Sequence, residues 1–125
     1  MDMGIVGKTA LVCGSSKGLG RGCAEALAAE GVNLIINART VLELEETAEK
    51  IRKAYAVEVK TVASDVTTID GQNKILNTTK NLDILVTNAG GPPPGKWHDW
   101  AREDFLAALE ANMLAPIMFM KAYLP

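Results

Sequence analysis

The residues with the clearest chemical potential lie between positions 13 and 20, which read Cys-Gly-Ser-Ser-Lys-Gly-Leu-Gly. They follow the apolar run Ala10 to Cys13 and open the alanine-rich stretch Arg21 to Ala29, so the segment is predicted to be a strand, a glycine turn and a helix start. A helix N-terminus has unpaired backbone N–H groups and partial positive charge, which together bind phosphate groups. Glycines in the turn let the backbone approach an anion closely. The segment therefore predicts a nucleotide cofactor.

The end of the next predicted strand indicates which nucleotide. About 20 residues after such a turn, an acidic side chain would bind the free 2′-hydroxyl of a ribose and repel a 2′-phosphate. This chain has Asn37-Ala38-Arg39 there. Arg39 and Lys17 offer two cations, and guanidinium–phosphate hydrogen bonds are charge-assisted and often bidentate. We therefore predict NADP(H) rather than NAD(H); the alternative is that Arg39 is only a solvated residue at a helix start.

The elements that must position these residues alternate along the chain. Short apolar segments predict strands over Thr9 to Cys13, Asn33 to Asn37, Glu58 to Ala63 and Leu82 to Thr87. Helical patterns predict helices over about Leu19 to Glu30, Thr40 to Ala54, Asp70 to Thr79, and from about Arg102 onward. This order predicts an α/β fold of the Rossmann type, a doubly wound parallel sheet with strand order 3-2-1-4, in one domain spanning residues 1–125.

Several local signals refine the helices. Gly31 is expected to follow the first helix as its C′ residue, and Thr40 with Glu43 is expected to form a capping box on the second. The last helix carries a stripe at helical spacing, made of Phe105, Leu109, Asn112, Met113, Pro116, Ile117, Met120 and Leu124. Pro116 cannot donate a hydrogen bond to the Asn112 carbonyl, which is then free for water. The alternative is that Asn112 and Pro116 only kink the helix.

Composition excludes several classes of function. The chain of 125 residues has a formal net charge of −2 and no basic cluster, which argues against nucleic acid. No run approaches about 18 consecutive apolar residues, and residues 1–8 lack a signal-peptide core, so no membrane partner and a cytoplasmic location are expected. Cys13 and Cys23 lack metal-site spacing and are expected to be small buried hydrophobes; no metal is predicted.

Four motifs in order resemble those of the short-chain dehydrogenase/reductase family, especially its ketone, alcohol and acyl-thioester reductases. They are the turn Gly14-Ser15-Ser16-Lys17-Gly18-Leu19-Gly20, the pair Asp65-Val66, the triplet Asn88-Ala89-Gly90, and Asn112 on the last helix. The ordered set is specific, although Cys13 stands where the family usually has threonine. The resemblance covers the whole chain but only about half of such an enzyme.

The resemblance implies a role for each motif. The glycine turn would hold the pyrophosphate and nearby ribose, Lys17 with Ala38 and Arg39 the 2′-phosphate end, and Asp65 and Val66 the adenine. Asn88, Ala89 and Gly90 would stabilise the sheet and lie along the cofactor. Asn112 would be the first member of the family's catalytic set, its carbonyl holding a water of a proton relay. The substrate would be a small carbonyl or alcohol compound, and full-length relatives form homo-oligomers through the helix of Asn112 and the next one.

The family's Tyr-x-x-x-Lys pair is not among these residues, since Tyr55 is followed four residues later by Val59. The 125 residues are therefore expected to bind cofactor without turnover. Two alternatives stay open: a non-catalytic dinucleotide-binding module, and a methyltransferase dependent on S-adenosylmethionine, which Arg39 disfavours. The strand Leu82 to Thr87 is expected to be an unpaired apolar edge, so the residues are expected to belong to a longer polypeptide with further C-terminal strands or to self-associate. His98 is expected in an exposed loop, with Trp97 and Trp100 as weak candidates for a substrate wall.

Overall fold

Four parallel strands form one sheet in the order β3-β2-β1-β4 in the computed structural model, which describes residues 1–125. The strands are β1 (Thr9–Val12), β2 (Asn33–Ala38), β3 (Val59–Ala63) and β4 (Ile84–Val86). The helices are α1 (Gly18–Ala29), α2 (Val41–Ala54), α3 (Ile69–Thr78), α4 (Arg102–Leu109) and α5 (Ala115–Tyr123). The predicted Rossmann-type order and the alternation of elements are confirmed.

Helices cover both faces of the sheet. Successive strand residues point to opposite sides, so apolar side chains of the strands are available to pack against helices on each face. Ala10 and Val12 of β1 pack with residues of α1 and α2, among them Ala24, Leu44 and Ile51. On the other face a second cluster joins the sheet to α3 and α5 through Leu11, Cys13, Ile35, Val62, Val66, Ile75 and Phe119. The sheet is therefore wound on both sides, and all its strands end at the same edge.

β4 lies at one end of the sheet and pairs only with β1, where Leu11 faces Leu85 and Val12 faces Val86. Its three residues are each only partly buried. The predicted place of this strand at the edge is confirmed. Self-association through that edge stays a prediction.

The helix ends follow the sequence signals in part. Gly31 follows α1 in the left-handed conformation, with φ of 80°, as expected. Thr40 precedes α2, but its side chain caps no backbone N–H, so the predicted capping box with Glu43 is wrong. Glu43 instead lines the cavity described below. A cap that was not predicted occurs at α3, where the Thr68 hydroxyl accepts a hydrogen bond from the Gly71 N–H at 3.0 Å.

The last helical stretch widens in its middle. Residues Glu110–Leu114 form a π-helical segment in which the Ala115 N–H donates to the Glu110 carbonyl, one residue further back than in an α-helix. The widening directly precedes Pro116, whose ring and missing N–H disturb the preceding turn. A local distortion at this proline is therefore present, and release of the Asn112 carbonyl to water stays a prediction.

The apolar stripe predicted on this helix is not its buried face. Ala115 and Phe119 face the sheet, whereas Phe105, Leu109, Met113, Ile117, Met120 and Leu124 are 39% to 67% exposed. The helix is apolar on more than one side, so periodicity alone could not tell which side meets the sheet. By length and composition alone, the stretch Arg102–Tyr123 would suffice to cross a membrane; core helices of soluble proteins and signal sequences pass the same test.

The two cysteines lie in different environments. Cys13 is 1% exposed and burial raises the pKa of its thiol to about 12, whereas Cys23 is exposed. The prediction of two buried cysteines is therefore wrong for Cys23. The buried face of α1 is formed by Gly20, Ala24 and Ala28, and Cys23 is out of phase with their four-residue spacing.

Candidate functional site

A cavity of about 540 Å³ opens where the carboxyl ends of the strands meet. In open parallel sheets ligands bind at this edge, next to the point where strand order reverses, here between β1 and β4. All predicted cofactor residues except Ser15 and Gly20 line the cavity: Gly14, Ser16, Lys17, Gly18, Leu19, Ala38, Arg39, Asp65, Val66, Asn88, Ala89 and Gly90. Four segments that are distant in sequence thus meet around one space.

The glycine turn is packed against the end of β4. Gly14 has a φ of 57°, and a Cβ placed on it would lie 2.9 Å from the Asn88 side-chain nitrogen. A Cβ on Gly20 would lie 2.1 Å from the Gly14 carbonyl oxygen, which is far inside any contact distance. Asn88 Nδ2 donates to that same oxygen at 3.1 Å. The turn therefore requires glycine at both positions for its backbone to close on itself.

Ser15 and Gly20 lie beneath the cavity rather than in its wall. Ser15 is completely buried, and its hydroxyl donates to the Val12 carbonyl at 2.8 Å and accepts from the Asn37 N–H at 3.0 Å. Gly20 is buried where α1 passes over the turn. Both residues pack beneath the turn and support its backbone. They were predicted to bind the cofactor, but they do not line the cavity.

The N-terminus of α1 is left without an internal partner. Lys17 precedes the helix with no side-chain cap, and the first turn contains no acidic residue. By contrast, the first turn of α3 holds Asp70 and is capped by Thr68. Unpaired N–H groups facing a cavity suit an anionic group, because each N–H can donate a hydrogen bond and the helix dipole adds attraction.

Charged side chains of both signs line the cavity. Lys17 and Arg39 are exposed cations, and Glu43 is an exposed anion at the start of α2. Asp65 is the second anion, and its carboxylate Oδ1 accepts hydrogen bonds from the Thr67 hydroxyl at 2.7 Å and the Thr67 N–H at 2.9 Å. The Thr67 hydroxyl, with the Thr67 amide and the charge of Arg39, holds the pKa of Asp65 below its usual range. Asp65 is therefore ionised at neutral pH and can accept a further hydrogen bond from a ligand amino group.

The cavity also contains residues that the sequence did not single out as ligand contacts. They are Asn37, Thr40, Glu43, Ser64, Thr67 and Gly91. A signal existed for Asn37, because this polar residue directly follows the apolar run Leu34 to Ile36. Thr67, two residues after Asp65, follows the pattern in which an aspartate accepts from a backbone N–H two residues on.

Other predicted residues lie outside this cavity. Asn112 is exposed on the π-helical segment, and its Nδ2 donates to the Ala108 carbonyl at 3.1 Å. Trp97 is 77% exposed, and Trp100 packs edge-on against Phe105 with ring centroids 5.7 Å apart. His98 lies in an exposed turn beside Asp99. No three His, Cys, Asp or Glu side chains converge in a way that could hold a metal ion.

A polar cavity bordered by a glycine turn, an uncapped helix start and two cations fits a dinucleotide. Residues 8–125 match the sequence model of the short chain dehydrogenases. The chain belongs to the short-chain dehydrogenase/reductase family. This membership decides against the methyltransferase alternative and confirms the resemblance drawn from the four motifs.

Among relatives in this family, the chain is 32% identical over 125 residues to the uncharacterized oxidoreductase YvaG of Bacillus subtilis, covering 99% of this chain and 47% of that protein. It is 36% identical over 94 residues to the 3-oxoacyl-[acyl-carrier-protein] reductase FabG of Aquifex aeolicus, covering 72% of this chain and 38% of that one. The chain thus spans less than half the length of these two relatives.

Solved short-chain dehydrogenase/reductase structures have the same fold. L-sorbose reductase from Gluconobacter frateurii, complexed with NADPH and L-sorbose, superposes with a TM-score of 0.92 at 34% identity, over 100% of this chain and 49% of that one. A short-chain dehydrogenase from Sphingobium yanoikuyae in complex with NADPH gives 0.85 at 25% identity, over 92% and 46%. Members with this fold are therefore known with NADPH bound.

Proposed function

We propose that this chain forms the NADP(H)-binding part of an oxidoreductase that transfers hydride between the nicotinamide and a small carbonyl or alcohol substrate. The observation that carries the proposal is the 540 Å³ cavity, in which an uncapped helix start, Lys17 and Arg39 surround one space at the sheet edge. When bound, the nicotinamide supplies or accepts the hydride. The chain's own residues bind and orient that group.

The segment from Gly14 to Gly20 would hold the pyrophosphate and the adjoining ribose. The free N–H groups at the start of α1 supply hydrogen-bond donors, and Gly14 and Gly20 allow the backbone to come close enough to use them. Ser16, Gly18 and Leu19 border the same space.

Lys17 and Arg39 would bind the 2′-phosphate. Ala38, the residue before Arg39, lines the same cavity. A charged hydrogen bond contributes roughly 1.5–3 kcal/mol, which gives about a 10- to 150-fold preference for NADP(H) over NAD(H). Neither cation forms an ion pair with an acidic side chain, so both are available to a phosphate.

The part of the cavity around Asp65, whose carboxylate is under the charge of Arg39, suits the adenine, because the adenine and the 2′-phosphate of NADP(H) are carried by the same ribose. The ionised Asp65 carboxylate, held by Thr67, can accept a hydrogen bond from an exocyclic amino group, and Val66 offers apolar contact beside it. Asn88, Ala89 and Gly90 line the same cavity, and Asn88 also donates a hydrogen bond to the Gly14 carbonyl of the glycine turn.

Asn112 would serve a proton relay rather than bind cofactor. It lies outside the cavity, on the widened turn before Pro116, where the backbone N–H that would occupy its carbonyl is missing. A tyrosine–lysine pair of the kind seen in the family is not among residues 1–125, so we expect these residues alone to bind NADPH without oxidising it. NADPH binding without turnover by the protein that carries this chain would instead support a non-catalytic dinucleotide-binding module.

Homo-oligomerisation is the remaining part of the proposal. The last helix exposes large apolar side chains along its length, and a patch of this kind is ordinarily buried in a protein–protein contact. Its exposed members are Phe105, Leu106, Leu109, Met113, Leu114, Ile117, Met118 and Met120. The same helix is fixed to the sheet by Phe119, which favours a partner surface over a membrane. A cytoplasmic location stays a prediction.

Arg39→Ala tests the cofactor assignment. We expect the Kd for NADPH, measured from the enhancement of its fluorescence, to rise about 10- to 150-fold while the Kd for NADH stays nearly unchanged. Arg21→Ala is the matched control, because Arg21 is paired with Glu25 at 3.0 Å and does not line the cavity. Equal weakening of NADPH and NADH binding by Arg39→Ala, or binding of NADH alone by the unmodified chain, would contradict the proposal.

A further inference from the structure

Asn37 is a buried polar residue at the end of β2 that none of the four motifs contains. It is 1% exposed, and its side chain lies between the glycine turn and the end of β3. Its Oδ1 accepts a hydrogen bond from the Gly14 N–H at 3.3 Å. Its Nδ2 donates to the Val62 carbonyl at 2.9 Å and to the Ser64 carbonyl at 3.1 Å. One side chain thus joins two loops that border the cavity.

The backbone of Asn37 holds the same turn. Its carbonyl accepts from the Ser15 N–H at 2.7 Å, and its N–H donates to the Ser15 hydroxyl at 3.0 Å. Residues 14 and 15 are therefore fixed to the end of β2 by side-chain and main-chain hydrogen bonds together. All of these groups are buried or nearly so, where an unmade hydrogen bond is costly.

Gly14 is held on both of its backbone polar groups. Asn37 accepts from its N–H, and Asn88, which follows β4, donates to its carbonyl at 3.1 Å. The first residue of the phosphate-binding turn is thus held from strands on either side of β1. A turn fixed in this way does not have to be ordered when an anion binds, so less affinity is lost to ordering.

We propose that Asn37 is a positioning residue that fixes the glycine turn relative to the Ser64–Asp65 loop, and thereby sets the affinity for the whole dinucleotide. This inference rests on the proposed function, because it assigns Asn37 a part in the same site. The turn would receive the pyrophosphate and the loop the adenine, so the distance between them must match the length of the ligand. The Asn37 side chain, which bonds to both, controls that distance.

Two variants and one matched control test the proposal. Asn37→Ala removes every side-chain bond, whereas Asn37→Asp keeps the size and the acceptor for Gly14 but places an oxygen against the Val62 and Ser64 carbonyls. Asn33→Ala is the control, because Asn33 lies on the same strand and its Oδ1 also bridges to the β3 side, accepting from the Glu58 N–H at 3.0 Å at the far end. The readouts are the Kd for NADPH, amide hydrogen exchange over residues 14–20, and the unfolding midpoint.

Both Asn37 variants are expected to raise the Kd for NADPH by about tenfold or more and to speed exchange in the turn. Asn33→Ala is expected to lower the unfolding midpoint without changing either of these readouts, which separates positioning from plain stability. Wild-type Kd in a folded Asn37 variant, or equal weakening by Asn33→Ala, would overturn the proposal. Failure of both Asn37 variants to fold would also reject it, since Asn37 would then be a structural residue. Absence of NADPH binding by the unmodified chain would overturn the proposed function itself.

Discussion

Gly20→Ala and Gly22→Ala form a pair that separates the close packing of the glycine turn from the ordinary behaviour of a helix. Both residues lie in α1, two positions apart. A Cβ on Gly22 meets nothing within 4 Å, whereas a Cβ on Gly20 would lie 2.1 Å from the Gly14 carbonyl oxygen and 2.9 Å from Asn88 Nδ2. The backbone at Gly20 would have to move away from the turn by about 1 Å or more to reach normal contact.

The magnitudes follow from these distances. Replacing an exposed helical glycine by alanine stabilises by about 0.5–1 kcal/mol, so Gly22→Ala is expected to raise the free energy of unfolding by that amount. Gly20→Ala gains the same stabilisation from helix propensity, but its added methyl group overpacks the turn, which costs about 1–3 kcal/mol. The atom it meets first is the backbone carbonyl oxygen of Gly14, which cannot move aside as a flexible side chain could. We expect net destabilisation by Gly20→Ala and, because the turn itself is displaced, about a tenfold or larger rise in the Kd for NADPH.

Urea unfolding at 25 °C and NADPH fluorescence titration of the three proteins measure both effects. If the close contact between residue 20 and the Gly14 carbonyl causes the difference, Gly22→Ala raises the free energy of unfolding and Gly20→Ala lowers it. Only Gly20→Ala then weakens NADPH binding. If Gly20→Ala binds NADPH with the unmodified Kd, or if Gly22→Ala is equally harmful, the turn does not depend on this contact.

Two further predictions concern single ionisable groups. The folded-state pKa of Asp65 is lowered, so its ionised form stabilises the fold above the unfolded value of about 3.9, and that stabilisation is lost as the pH falls through the folded pKa. Thr67→Val removes the 2.7 Å hydroxyl donor, and carboxyl titration by NMR is expected to show the pKa of Asp65 moving up; an unchanged midpoint would refute this. For the thiols, Cys13 is buried with a pKa of about 12 and Cys23 is exposed, so at pH 8 a thiol reagent should modify Cys23 alone in the native chain and both cysteines in denaturant. Rapid native reaction of both would show that Cys13 is accessible.

The sheet and the glycine turn could be predicted because their signals are local. Short apolar runs alternate with helical patterns, and short crossovers allow few arrangements of parallel strands. The spacing from Gly14 to Arg39 then places both residues at the same edge of the sheet, where the cavity lies. Local sequence patterns and the rules of strand order together were enough to predict that four separate segments meet at one edge of the sheet.

The failures concern choices that depend on distant partners. Thr40 and Glu43 have the types and spacing of a capping box, but Glu43 lines the cavity and the box does not form. The last helix is apolar on several sides, and only its contact with the sheet selects Phe119 as the buried residue. Asn37 gives a visible signal, a polar residue directly after the apolar run of β2, but its partners Gly14 and Val62 lie 23 and 25 residues away. Such pairings are fixed by tertiary structure, which a local pattern does not contain.

The use of asparagine at both sides of Gly14 has a physical reason. An amide side chain combines a donor and an acceptor, so Asn37 can bond to an N–H of the turn and to carbonyls of β3 at once, and Asn88 can donate to the Gly14 carbonyl. A carboxylate could accept from Gly14 equally well, but it would set a negative charge in a buried position beside the turn that we propose binds the pyrophosphate. At an effective dielectric constant near 20, two unit charges 4 Å apart repel by about 4 kcal/mol, more than a single hydrogen bond contributes. Neutral amides hydrogen-bond to the turn without adding a negative charge, so the electrostatic potential around it stays positive. Lys17 and the start of α1 therefore keep their full attraction for an anion.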